Sequence, residues 1–219
     1  MNAHSILLFA GLAGGAAAAA DLTLADFRAE VQFRDRRQSK VAATVRLKGE
    51  TGGAIVRHTF LIYDGRQIEA VRAEEPSGVL LSCESKRAGR VLELACPARP
   101  AYQIFYSFET AEAQTRVPLP VPDVRTPSGK RVVEIRVKLP PGEVASRDTF
   151  PFFAWQTPEQ GVAHIANVPS FVSLAIHSAA VVSRWNQVAT VSALSDAAIV
   201  VILVFASIMW RWQWGRRKG

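Results

Sequence analysis

Asn-X-Ser/Thr acceptors are absent from this 219-residue chain, and cysteine and methionine occur only twice each. Two cysteines allow one internal bridge and exclude a multi-disulfide scaffold, so any stable domain must rest on an apolar core. Between residues 21 and 187 no stretch sustains a 3.6-residue apolar stripe, which excludes a helical bundle there. The histidines are His4, His58, His164 and His177, with no HxH, HExxH or paired-cysteine context. No metal site is therefore expected, and each histidine past the leader reads as a strand residue. GxSxG, GxGxxG and phosphate-loop signatures are missing, as is calcium-loop spacing around Asp123 and Asp148. No catalytic residue can be assigned and no cofactor is expected.

What is present lies first in two apolar runs. Ile6 to Ala20 is about fifteen residues rich in Ala and Gly, short of the roughly twenty that cross a bilayer core. It ends in Ala18-Ala19-Ala20 before Asp21, a small-x-small pattern suited to signal peptidase, although Met1 to Ser5 contain no Lys or Arg. The expectation is a signal peptide over 1–20, with a retained N-terminal anchor or a buried Ala-rich helix as alternatives.

The second run, Val188 to Trp210, has 23 residues and as a helix would extend roughly 34 Å, enough to span. Ile199 to Phe205 and Ile208 supply eight large apolar side chains. Together they contribute roughly −2 to −5 kcal/mol to insertion, against about +2.5 to +3.5 kcal/mol for a central Asp196. The flanks set orientation. Arg211, Arg216, Arg217 and Lys218 form a basic end, and Trp210, Trp212 and Trp214 stand beside them as interfacial anchors. The expectation is a single-pass protein of the cell (inner) membrane. Its 21–187 domain would lie in the periplasm or outside the cell, and its basic 211–219 tail in the cytoplasm, in contact with the lipid bilayer.

Asp196 is the sharpest clue within that run. Ala189, Ala193 and Ala197 recur at four-residue spacing with Ser192 and Asp196 on an adjacent stripe, so one helical face is small and polar. Such a face suits a membrane-protein partner or self-association through the helix. A shifted frame, 197–214, would instead place Asp196 at the outer interface and leave Arg211 to snorkel.

The 26 basic and 19 acidic residues give +7 overall, but the tail and Asp196 account for part of this, leaving 22 basic and 18 acidic residues in the exported part. The Lys and Arg are interleaved with acidic residues, the pattern of a solvated face rather than a phosphate-binding stripe, so nucleic acid is not an expected partner.

From Asp21 the dominant period is two. Phe27, Ala29, Val31 and Phe33 alternate with charged or polar residues, Val41, Ala43, Val45 and Leu47 repeat the pattern, and the polar stretch between predicts a hairpin. Further strands are expected near 55–63, 67–72, 79–84, 90–95, 102–108, 131–139, 164–166 and 171–177. With Gly and Pro punctuation, this predicts an all-β domain, a β-sandwich that is Ig-like in the loose sense. It would be one enlarged domain or two small modules split near 117–125, where Pro118, Pro120 and Pro122 mark a linker or edge strand. Cys83 and Cys96 lie equidistant from a turn near Gly89 and Arg90, so a disulfide across a hairpin is expected.

Tyr102, Phe105, Tyr106 and Phe108, and the run Phe150 to Trp155, read either as a carbohydrate- or protein-binding surface or as filling of the core or the membrane-proximal end. The functional expectation is a membrane-anchored extracytoplasmic binding or assembly module, of the kind that serves as accessory subunit of a larger membrane complex. The alternative is an anchored cell-envelope enzyme or carbohydrate-binding domain.

Overall fold

The structure is a computed structural model and describes residues 22–179, apart from 36, 64–67, 110–113 and 147. The domain is all-β. The predicted hairpin forms from β1 (Thr23–Phe33) and β2 (Gln38–Lys48), with Phe27 opposite Val45 and Val31 opposite Val41. Each strand buries one side-chain set and exposes the other. The Asp35 carboxylate accepts hydrogen bonds from the N–H groups of Arg37 (2.7 Å) and Gln38 (2.8 Å), closing the turn. Those two bonds hold its pKa below the usual carboxylate value.

The remaining strands are β3 (Ile55–Leu61), β4 (Ile68–Glu74), β5 (Glu84–Ala88), β6 (Val91–Pro97), β7 (Ala101–Glu109), β8 (Gln114–Pro118) and β9 (Val121–Pro122). They are followed by β10 (Val133–Lys138), β11 (Glu143–Ala145), β12 (Ala154–Thr157), β13 (Gln160–Ile165) and β14 (Phe171–Ser178). Seven of them make one sheet in the order β12-β13-β10-β1-β2-β7-β4; the others make a sheet β5-β6-β3-β9 and a sheet β11-β14-β8. Every named pairing is antiparallel except β1 with β10, where Phe27 aligns with Val133 and Gln32 with Lys138. A parallel pair needs a crossover. Here it runs through the two smaller sheets, so residues on both sides of 117–125 share one sheet and one core.

The smaller sheets lie over the inner face of the large one. From β7, Tyr102, Ile104, Tyr106 and Phe108 point inward. Tyr102 meets His58 of β3, Tyr106 packs edge-to-face on Phe60 at 5.2 Å, and the Tyr106 hydroxyl donates to the Pro118 carbonyl. Phe27, Val31, Val45, Ile135, Val172 and Leu174 complete the core. Each such side chain removed from water contributes about 1.5–3 kcal/mol.

On the outer face the registers align Val162, Arg136, Glu30, Ala42, Phe105 and Arg72 across six strands. The adjacent row runs His164, Glu134, Arg28, Thr44, Gln103 and Glu74. Charges of both signs therefore mix along the face.

One segment differs from expectation, and the proline stretch takes the edge-strand alternative. The stretch 79–84 is not a strand: Glu75 donates to Val79 in a turn around Ser77-Gly78, Leu80 makes a single bridge to Glu74, and the chain crosses to the other layer before β5 begins at Glu84. Pro118 ends an edge strand of the three-stranded sheet and Pro122 an edge strand of the four-stranded sheet, where a missing N–H costs no ladder bond.

Among the described residues no helix is long and apolar enough to cross a membrane. The expected signal (1–20), spanning segment (188–210) and basic tail (211–219) lie outside the described residues.

Candidate functional site

The cysteines are brought together as expected. β5 and β6 pair with Glu84 opposite Ala95 and Ala88 opposite Val91, which places Cys83 opposite Cys96. The two form the disulfide, with Cα atoms 4.3 Å apart. The turn residue Gly89 has φ +59°, a left-handed conformation that glycine adopts without a Cβ clash.

The aromatic residues divide. Tyr102, Tyr106 and Phe108 fill the core, and Phe105 lies on the outer face under the Arg72 guanidinium at 5.1 Å. In the run Phe150 to Trp155, Phe153 is 1% exposed, whereas Phe150 is 52% and Phe152 83% exposed. Phe150 is held against β14 by reciprocal backbone bonds with Ser173 of 3.0 and 2.7 Å, ahead of a cis bond to Pro151.

Its ring lies 5.5 Å from that of Phe171, which meets Tyr63 edge-on at 5.1 Å. Arg116, from the edge strand β8, sets its guanidinium over both, 5.3 Å from Tyr63 and 5.8 Å from Phe171. The result is a cluster of three rings with a cation resting on two of them, and the exposed Phe152 follows two residues after Phe150. Large rings restrained before contact lose little freedom when a partner covers them, and Tyr, Phe and Arg are enriched at the centres of protein interfaces. Arg116 and Tyr63 carried no sequence signal, because the cation lies on β8 and the ring just past the end of β3, more than fifty residues apart in the chain.

A second polar feature is internal. His58 is wholly buried, with Nε2 2.8 Å from the Tyr102 hydroxyl and Nδ1 without a hydrogen-bond partner. Burial pushes its pKa down to about 3, opposed by the nearby Pro120 carbonyl. Burial, with the charge of Asp123 adding to it, raises the pKa of Tyr102. Asp123 is fixed through two bonds with the Arg57 backbone, accepting at Oδ1 (2.8 Å) and donating from its N–H (2.9 Å). This arrangement holds β3, β7 and the start of the 123–125 segment together, with His58 and Tyr102 closed to solvent.

Among the described residues no group of three or more His, Cys, Asp or Glu side chains is placed to hold a metal ion. The expected intramembrane stripe, Ala189, Ser192, Ala193, Asp196 and Ala197, and the anchors from Trp210 to Lys218 lie outside the described residues.

No protein-family model matches the chain, and no curated protein matches it. Among solved structures it is similar to an aminopeptidase N family protein from Idiomarina loihiensis, with 11% identity, a TM-score of 0.44, and coverage of 68% of this chain and 29% of that one. It is also similar to an M1 zinc metallopeptidase from Deinococcus radiodurans, with 13% identity, a TM-score of 0.39, and coverage of 72% and 42%. The chain thus spans less than half the length of either.

Proposed function

We propose that this protein is a membrane-anchored extracytoplasmic module that binds and helps assemble a protein partner. The observation that carries the reading is the half-exposed cluster of Phe150, Phe171, Tyr63 and Arg116, together with the exposed Phe152 that follows Phe150 in the chain. An 83%-exposed Phe152 next to a buried Phe153 has no packing role, and a patch of this composition suits a partner surface. Anchoring is supported by the apolar run 188–210, its aromatic and basic flank, and the disulfide, which agrees with an oxidising compartment. The small, polar stripe with Asp196 supplies a second contact within the bilayer.

The test is affinity purification of the full chain from native membranes, beside Phe152→Ser and Asp196→Ala. A partner retained by the wild type and lost in either variant supports the reading and locates the contact. A full chain that stays monomeric in mild detergent and copurifies with nothing overturns it. So does binding of a glycan in place of a protein, abolished by Phe152→Ser. Protease added to intact spheroplasts should digest residues 21–187; protection of that domain together with release by alkaline carbonate would remove the anchor.

A further inference from the structure

The two layers do not close on each other where β4, the edge of the seven-stranded sheet, faces β5, the edge of the four-stranded sheet. Between them lies a cleft of about 400 Å3 lined by Ile68, Val71, Leu81, Leu92 and Leu94, with the Cys83–Cys96 bridge at its floor. Leu80, 66% exposed, also lines it.

The two edges are not equivalent. β4 is irregular: its register shifts between Glu69 and Arg72, and Ala70 has φ +52°. A bulge of this kind spoils an edge for further pairing. β5 is regular through all five residues, every one exposed, and no other strand pairs with its outer edge among the described residues.

Its backbone can be assigned by alternation. Cα atoms 4.3 Å apart mark Cys83 and Cys96 as a non-hydrogen-bonded antiparallel pair, so Ser85 and Leu94, two residues along, are another. The N–H and C=O of Ser85 therefore point away from β6, to the open edge. Its side chain shares the cleft face with Leu94, while Lys86 faces solvent beside Glu93.

We infer that β5 is a strand-acceptor edge, taking an extended partner segment in which apolar residues alternate with acidic ones. An added strand would hydrogen-bond through Ser85, lay alternate apolar side chains over Ile68, Val71 and Leu81, and set the intervening carboxylates beside Lys86. Lys86 also selects against a second copy: two β5 strands paired antiparallel about it would oppose lysine to lysine. The inference rests on the reading of the protein as a partner-binding module and names a further contact surface for it, outside the bilayer, with partner chemistry.

The test uses the full chain in lipid nanodiscs and a short fluorescent peptide alternating valine and glutamate, read by anisotropy and by hydrogen exchange at residues 84–88. The expected result is saturable binding with slowed exchange across β5. Lys86→Glu weakens it about tenfold and favours a valine–lysine peptide instead. Ser85→Pro, which removes an outward N–H and no β6 bond, abolishes it while the disulfide and far-UV spectrum are kept. No saturable binding, equal binding of the valine–lysine peptide by the wild type, or binding unchanged in both variants overturns the proposal. The two readings fail separately: loss of peptide binding removes the acceptor edge and leaves the aromatic surface, whereas a chain that copurifies with nothing removes the assembly role even if the peptide binds.

Discussion

The His58 ring and the Tyr102 hydroxyl meet at 2.8 Å in the middle of the domain, joining the two layers through a polar bond that has no access to water. A histidine in this position stays neutral in the folded state at a pH where an unfolded one is half charged.

That difference makes stability depend on pH. The folded pKa, about 3, lies below the ordinary 6.5, so below 6.5 the unfolded chain binds a proton that the folded chain refuses. The contribution of His58 is fully retained above 6.5 and declines as pH falls toward 3, by about 1.4 kcal/mol per unit where only the unfolded state is protonated. Urea midpoints measured between pH 7 and 4 should fall more steeply for the wild type than for His58→Gln. Equal slopes would show that the ring does not stay neutral inside.

Disulfide removal should be costly but local. Cys83→Ala with Cys96→Ala should lower unfolding stability by about 3 kcal/mol, the loop-closure contribution for a separation of 13 residues. The reduced wild type should shift by a similar amount, which chemical denaturation with and without a phosphine reductant would measure.

The neighbours Phe152 and Phe153 should respond in opposite ways. Phe153→Ala empties a buried site and should cost about 3–5 kcal/mol, while Phe152→Ser should change stability by less than about 0.5 kcal/mol. Thermal or denaturant unfolding of the two variants checks this. A large loss in Phe152→Ser would mean that the ring packs rather than waits for a partner.

Gly161 offers a test of packing against propensity. Alanine in a strand normally gains about 0.5–1 kcal/mol over glycine. Here, however, a Cβ would stand 3.1 Å from Cε3 of Trp155 and 3.2 Å from Cβ of Phe153, the latter fixed by its own backbone. Overpacking of this kind costs about 1–3 kcal/mol, so Gly161→Ala should be destabilising on balance. A rise in melting temperature would contradict the geometry.

The β1–β2 hairpin was legible because one face is buried and the other solvated, which writes a period of two into Phe27 to Phe33 and Val41 to Leu47. The disulfide was legible for a related reason: symmetric spacing about Gly89 sets the register of a local hairpin. Short edge strands such as β9, β11 and β12 were not, since two to four residues carry no period. The aromatic cluster was only half legible. FPFFAW announces aromatic content, but which ring faces water depends on Ser173 gripping Phe150 from a strand more than twenty residues away.

By itself the amino-acid sequence determined the all-β class, the first hairpin and the one covalent bridge, because these follow from local alternation and from spacing about a turn. Only the tertiary structure decided that β10 lies parallel to β1, that Arg116 rests on Tyr63 and Phe171, and that β5 ends its sheet beside an apolar cleft with no partner strand on its outer side among the described residues. Those relationships join residues distant in the chain, and their energies come from how whole sheets pack, which no short stretch of sequence encodes.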